Sequence, residues 1–533
     1  MNPTTDPCST EQLVTTLSHQ LASLTRSLCD WIQQPEHTLA QAEQHVLRLL
    51  KTLGSSLLAG LCSLAAPAPP DATIACSCGQ TASYQRLRSA QVITLLGPIS
   101  IARPYYLCSA CGHGQHPLDA QLQFAAGSRS AALDELLALL GATQDSFAQA
   151  AQVLERLSAV HLAPNTVRDA TEQLGTVLLA HQALPLEQRT PSQPCSSSAA
   201  SKPARLYITM DGVMTHLRER GWSELKVGCC YQTSSHADRK RPGHVELRAH
   251  TPSYLSTLEG AESFGWQLWQ EAVRRGVLQA EEVVVLGDGA HWIWSIAERH
   301  FPGATQIVDW YHASGYIWSA ASALWGEAGT ERESWARSQL KLLWEGQVDE
   351  VVNELEQRHG QGEAVEAARS YYHEHKRRMD YASYRARGMQ IGSGSAESAC
   401  KQLVTARLKG AGMIWQAAGA EAVAAVRAWL KSERWEEALR LRGAPRRSYQ
   451  RKAADCAGAE SAKTGQAALK PAAEETGAQD SKPGTKLSGE VLARVQAELA
   501  EQHGKNAWGK AWSAKRHQQL AAQAEQQKHT RTA

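Results

Sequence analysis

Two apolar runs in the chain end alike. Tyr207-Ile-Thr-Met-Asp211-Gly212 sets an aspartate on a strand of buried character with a glycine beside it. Val283-Val-Val-Leu-Gly-Asp288-Gly289 repeats the arrangement at the C-terminal end of a second apolar strand. A carboxylate at the end of a buried strand is costly unless it is paired or metal-bound. Each aspartate alone is also what a simple Asp-Gly turn looks like. Two of them, each followed by a glycine that leaves room for a close ligand, point to a shared cation. The fold must then bring the two strands together.

The segments around them supply such a fold. Strands are predicted at 206–213, 225–231, 245–249, 283–288 and 306–310, and helices at 256–275 and 290–300, a β-β-β-α-β-α-β pattern of α/β class. Residues 313–385 read as wholly helical and carry Trp318, Trp325, Trp335 and Trp344, which at helical spacing are mostly core. A further helix pair is predicted at 395–408 and 414–432. The third carboxylate, Glu397, lies in Gly392-Ser-Gly-Ser-Ala-Glu-Ser, in the first turn or two of a helix, with Lys401 one turn later on the same face. Its simplest role is to complement the helix dipole. Joined to Asp211 and Asp288, it makes a set of hard oxygen ligands suited to Mg²⁺. The glycines form no phosphate-binding P-loop, because no G-x-x-x-x-G-K-[ST] pattern is present.

The N-terminal half is organised differently. Residues 1–70 carry helix-period leucines and read as two helices, ended by the proline-rich break at 66–70. Residues 71–120 change to strand-like runs around Cys76-Ser-Cys78 and Cys108-Ser-Ala-Cys111. Two thiolate pairs flanking a strand–turn–strand (91–96, Gly97-Pro98, 99–106) match the layout of a zinc ribbon, whose closed four-thiolate site is structural. The first pair is C-x-C where C-x-x-C is usual, so His113 or His116 remains an alternative ligand. Twelve cysteines in a chain of this size favour metal binding and free thiols over a disulfide framework.

Residues 121–182 are helical and contain a helix-turn-helix-like stretch. Phe147, Ala150, Ala151, Leu154 and Leu157 stripe the first helix, and Pro164 opens the second. Asn165, Thr166, Arg168 and Asp169 then stand near the N-terminus of the second helix, where a recognition helix meets base edges. An ordinary helical hairpin gives the same pattern. Residues 183–204 read as a linker, 205–445 as the α/β domain, and 446–533 as a mostly disordered tail, mildly basic with 15 Lys and Arg against 9 Asp and Glu, carrying one helix at 488–502. With Lys+Arg 55 and Asp+Glu 53, net charge is only +2, so any nucleic-acid footprint is local. No apolar run approaches a membrane span, the longest being 57–66, and residues 1–20 do not read as a signal peptide. A cytosolic protein is expected.

Met-Asp211-Gly, Gly-Asp288-Gly, Asp309-Trp-Tyr-His312, Gly-Ser-Gly-Ser-Ala-Glu397-Ser and Arg407-Leu-Lys-Gly-Ala-Gly-Met-Ile-Trp415 together resemble a bacterial insertion-sequence transposase. More narrowly, they resemble the ISKra-type branch of the Mutator-like DDE group. The resemblance covers 205–432 and implies an RNase H-like mixed-sheet core with an all-helical insertion at 313–385. Asp211, Asp288 and Glu397 would be the catalytic, Mg²⁺- or Mn²⁺-binding triad for two ions, and Cys76, Cys78, Cys108 and Cys111 would hold structural Zn²⁺. Asp309 and His312 match the group's D-x-x-H signature, either holding DNA near the site or bracing the strand end, with Lys401 as further support. Asn165, Thr166, Arg168, Arg407 and Lys409 would contact DNA, the last two alternatively forming a solvated helix end.

The implied function is cleavage and strand transfer at terminal inverted repeats of double-stranded DNA, by a homo-oligomer assembled on that DNA, in the bacterial cytoplasm at the nucleoid and without a membrane partner. Two rivals use the same residues differently: a DNA-binding regulator derived from a transposase, and an RNase H-like nuclease that never joins strands.

Overall fold

A computed structural model describes residues 9–34, 36–65, 73–124, 127–189, 203–237, 245–327 and 329–443. The tail from 446, the helix expected at 488–502, the break at 66–70 and most of the 183–204 linker lie outside the described residues.

Helical periodicity at the start of the chain yields α1 (Thr10–Ile32) and α2 (Leu39–Leu64). Each begins with a reciprocal capping box, Ser9 with Gln12 and Thr38 with Gln41, which satisfies orphan backbone donors at the helix start. Leu13 near the start of α1 sits over Gly60 near the end of α2, where a Cβ would come within 2.2 Å of Leu13 Cδ1, so the two helices run antiparallel. By length and composition α2 could cross a membrane, which unbroken apolar runs alone do not reveal, because Ser, Gly and Thr interrupt them. One flank of its C-terminal half packs Leu58, Ala59 and Cys62 on the next unit.

That unit is an antiparallel sheet of β1 (Thr73–Ala75), β2 (Thr81–Thr94), β3 (Gly97–Cys108) and β4 (Gly114–Gln115) in sequential order, followed by α3 (Pro117–Gln121). Its tight turn is Leu95-Leu96, not Gly97-Pro98. Thr94 pairs with Gly97 across the strands, and Gly97, at φ +105°, takes the conformation that lets the chain re-enter the sheet. Helices α4 (Ala131–Thr143), α5 (Phe147–Ser158) and α6 (Pro164–Ala183) close a small core around Leu133, Leu137, Leu154 and Val167.

The second sheet has five strands, β5 (Arg205–Leu217), β6 (Gly221–Ala237), β7 (Val245–Thr257), β8 (Glu282–Gly287) and β9 (Thr305–Val308), in the order β7-β6-β5-β8-β9. The first three are antiparallel, and β8 and β9 run parallel to β5, as the resemblance implied for an RNase H-like mixed sheet. Val283, Val284, Val285 and Leu286 are all buried, as expected of a central parallel strand covered on both faces. The crossovers are α7 (Ala261–Arg274) and α8 (His291–His300).

Several boundaries differ from expectation. Strand β5 runs on to Leu217 and β6 spans Gly221–Ala237, because the β5–β6 ladder continues from Val213 to Leu217 and the β6–β7 ladder to Ala237. Strand β7 extends to Thr257, because Ser253 to Thr257 continue the ladder with β6, and α7 accordingly starts later. Strand β9 ends at Val308, because the Asp309 side chain caps the next helix and draws Trp310 into it.

That helix opens the insertion: α9 (Trp310–Trp325), α10 (Thr330–Trp344), α11 (Val348–Gln357), α12 (Glu363–His375) and α13 (Tyr381–Ala386). Of the four tryptophans expected to be mostly core, Trp335 is buried against Trp325 at 5.5 Å, Trp318 and Trp325 are half-buried, and Trp344 is exposed with its ring 5.0 Å from Trp310. The chain then forms α14 (Gly394–Cys400), a π-helical turn at Lys401–Thr405, α15 (Ala406–Leu408), α16 (Ala417–Lys431) and α17 (Trp435–Arg442). Helix α6 meets α16 so closely that a Cβ on Gly175 would lie 2.2 Å from the Ala422 carbonyl oxygen. The α4–α6 bundle is thereby built onto the C-terminal helices.

Candidate active site and metal centre

The carboxylates are placed by strand register. Thr209 on β5 pairs with Leu286 on β8, so Asp211 and Asp288 stand two residues beyond the last registered pair on neighbouring parallel strands. Gly287 pairs with Val308 on β9, which sets Asp309 beside Asp288 in turn. Three aspartates thus line one edge of the sheet, at the roughly 4.8 Å spacing of adjacent strands.

Their surroundings separate them. Asp211 Oδ1 accepts from the Gly212 amide at 2.7 Å, and Oδ2 accepts from the Cys400 thiol at 3.5 Å. Burial is the main cause that raises its pKa; the Gly212 amide opposes it, and the nearby Asp288 charge adds to it. Asp288 Oδ1 accepts from the Ala290 amide at 3.0 Å, and its backbone carbonyl accepts from Tyr371 Oη at 2.6 Å. Gly289 follows at φ +115°, with Tyr371 within 2.5 Å of where a Cβ would stand, so only glycine fits there.

Asp309 is 2% exposed, and its carboxylate is used up by the protein. Oδ1 accepts from the His312 amide at 2.7 Å and faces His312 Nδ1 at 3.0 Å, and Oδ2 accepts from the Ser393 amide. These hydrogen bonds hold its pKa below the usual range against burial, which pushes the other way. Trp310 also donates its amide to Ile391 O at 2.9 Å. The end of β9 therefore clamps residues 391–393, the loop that leads into the Glu397 helix. His312 is raised, first by its bond to Asp309 against desolvation, then by the charges of Asp309, Asp288 and Asp211, so it is a half-exposed base beside the carboxylate pair.

Glu397 occupies the first turn of α14 and is exposed, its carboxylate bound to Lys401 at 2.8 Å. Cys400, three residues on, reaches back to Asp211 and so ties α14 to β5. Sequence reading missed this thiol, although its i+3 spacing from Glu397 places it on a neighbouring face of the same helix. Among the described residues, only the four cysteines form a group of three or more acidic, His or Cys ligands whose atoms all lie within 4.8 Å of one another. The three carboxylates share an edge of the fold without closing to that distance.

In that cysteine group, Cys76 Sγ lies 3.6 Å from Cys111 Sγ and Cys78 Sγ 3.6 Å from Cys108 Sγ. A tetrahedron of zinc–sulfur bonds about 2.3 Å long has edges of about 3.8 Å, so the four sulfurs fit a structural Zn²⁺. Backbone amides add to the fit. The Cys78 amide lowers the Cys76 thiol to about 6, and the amides of Cys111 and Ala110 lower Cys108. The His113 amide's lowering of Cys111 is outweighed by the Cys78 and Cys76 sulfurs, which push it up to about 12. The C-x-C pair uses a tighter turn than its partner: Gly79 donates to Cys76 O, whereas Gly112 donates to Cys108 O, one residue further along. His113 is outside the group, and His116 turns Nδ1 to Pro104 O at 3.0 Å, so the histidine alternative falls away.

At the start of α6, Asn165 is exposed and Thr166 and Arg168 are half-exposed, with Arg168 paired to Asp169 at 3.0 Å. Lys409 is exposed. Arg407 is not a surface phosphate contact. It is 2% exposed, donates to Gly141 O at 3.0 Å, and stacks over Phe147 and Trp415. Arg427 reinforces the same joint by donating to Gln402 O, Leu403 O and Ala142 O, and so satisfies carbonyls of the π-helical turn and the end of α4.

The chain belongs to an uncharacterised protein family, UPF0236, whose family model matches residues 79–439. The match takes in the second cysteine pair, the α4–α6 bundle and all three carboxylates, and leaves out the α1–α2 hairpin and the first cysteine pair. No curated protein matches the chain.

Proposed function

We propose that this chain is a DDE-type DNA transposase that binds the terminal inverted repeats of an insertion sequence in double-stranded DNA and cuts and rejoins DNA there. The observation that carries the reading is Asp211 and Asp288 at matching positions of neighbouring parallel strands, with the Glu397 helix tied to Asp211 through Cys400. The sheet order and the helical insertion between the last strand and α14 agree with it.

Asp211, Asp288 and Glu397 offer carboxylate oxygens suited to two Mg²⁺ or Mn²⁺ ions. Such ions, when bound, activate the attacking oxygen and stabilise the leaving one in phosphoryl transfer. Glu397, whose carboxylate pairs with Lys401 at 2.8 Å, would complete the set that holds the ions, and Lys401 would then serve a DNA phosphate. Asp309 braces the loop that aims α14, and His312 keeps a proton beside the carboxylates. Water first breaks a phosphodiester at the element end and leaves a 3′-hydroxyl. That hydroxyl then attacks a target phosphodiester in line, one P–O bond forming as one breaks, without a covalent protein intermediate. Asn165, Thr166, Arg168 and Lys409 contact DNA, and the ribbon supports them through structural zinc. The protein works in the bacterial cytoplasm at the nucleoid, as a homo-oligomer on paired DNA ends.

The test incubates the purified chain with DNA carrying its gene's own flanking ends and Mg²⁺ or Mn²⁺, beside Asp288→Asn. Cleavage at the ends with joined products, reduced at least about 1,000-fold in the variant (about 4 kcal/mol of barrier) while DNA binding persists, is expected. Binding without cleavage under either metal overturns the reading in favour of a regulator. Cleavage with no joined product overturns it in favour of a nuclease.

A further inference from the structure

We propose that the α1–α2 hairpin is a dimerisation surface, occupied by the same hairpin of a second copy of this chain. The inference does not rest on the transposase reading. Among the described residues, nine of the seventeen exposed large hydrophobic side chains fall on these two helices. They are not scattered. On α2, Val46, Leu50, Leu57 and Leu61 recur at intervals of four, seven and four, which at about 100° per residue confines them to a 60° stripe. On α1, Val14 and Leu21 stand one heptad apart.

Each helix already spends another face. Leu13 packs on Gly60 of α2, Leu17 and Leu24 are half-buried on the same side of α1, and Leu58 and Cys62 of α2 pack on the ribbon. On both helices the exposed stripe lies roughly a quarter turn from the α1–α2 contact, in the same rotational sense. In an antiparallel pair that geometry brings the two stripes to one side, as a single apolar face.

The size of the face selects its occupant. From their fractional exposures, the hairpin's exposed apolar side chains present on the order of 800 Å². That exceeds the roughly 300–600 Å² of the largest patch on a typical monomer and equals what one partner gives to a standard interface of about 1,600 Å². Residues 10–64 hold four acidic and three basic side chains, so two copies meet without net repulsion of consequence. Two hairpins related by a two-fold axis make a four-helix bundle, in which one patch is its own complement.

The test is sedimentation velocity of the full chain across micromolar concentrations, without DNA, beside Leu50→Glu and Leu57→Glu. Both positions are exposed in the single chain, so circular dichroism and bound zinc should match wild type. A wild-type dimer whose dissociation constant rises about 100-fold in each variant is expected. A wild-type monomer overturns the proposal, and so does a dimer that both variants leave intact. A wild-type monomer that floats with anionic phospholipid vesicles, while the variants do not, assigns the face to a bilayer instead.

Discussion

At the scale of single residues, Asp309 and Asp211 answer differently to similar burial. Asp309 has three donors and titrates low; Asp211 has an amide, a thiol and a like-charged neighbour and titrates high. A carboxylate already satisfied by the protein has little left for a cation, which is why Asp309 reads as a brace and Asp211 as a ligand. The pairing with His312 carries a pH signature. His312 is raised in the folded chain, so its contribution to stability is complete below the unfolded value near 6.5 and fades as pH rises through the folded value. The Asp309 contribution has the opposite sense: present above its unfolded value and lost as pH falls through the lower folded one. An NMR titration should find the His312 ring above 6.5, and Asp309→Asn should bring it down. A His312 that titrates at the same pH in both proteins contradicts the pairing.

At the scale of elements, what was legible in the sequence is what depends on neighbours along the chain. The cysteine pairs flanking a hairpin, the two N-terminal helices and the Asp-Gly end of β8 all carry local signals, and each is present, whereas Asp211 lies within β5, which runs on to Leu217. The misplaced features depend on distant partners. Arg407 looks like a solvent-facing base at a helix end, but the carbonyl that takes it belongs to Gly141, 266 residues earlier. Trp310 continues an apolar run, yet it leaves the sheet for a helix, and its amide donates to Ile391 O, 81 residues later. The ribbon carries the element-scale prediction. Two short strands and a single long hairpin bury little, and Ala82, Tyr106 and two of the cysteines are its whole core at that end. Structural zinc contributes about 10–16 kcal/mol to small domains of this kind. One Zn²⁺ per chain should be found by elemental analysis, and Cys108→Ser should lose it. Strong chelation should unfold the ribbon while the α/β domain's own unfolding transition stays in place. Full zinc content in Cys108→Ser would contradict the four-thiolate site.

For the whole molecule, the β-β-β-α-β-α-β order nearly dictates the sheet. The connections β7-α7-β8 and β8-α8-β9 place β8 beside β5 and β9 beside β8, and the register then aligns Asp211 with Asp288. The position of Glu397 was not legible in the same way. It follows Asp288 by 109 residues, and no spacing fixes where a helix docks after an insertion of that length. The clamp from Asp309 to Ser393 and the thiol bond from Cys400 to Asp211 do so. The central claim is that these three carboxylates form one divalent-cation site. The most direct measurement is an anomalous difference map from crystals of the full chain with Mn²⁺ and a DNA end. Manganese peaks bridging Asp211 and Asp288, with the Glu397 carboxylate turned from Lys401 onto the metal, are the predicted result. Manganese absent from that edge of the sheet, with Glu397 still held by Lys401, would contradict it.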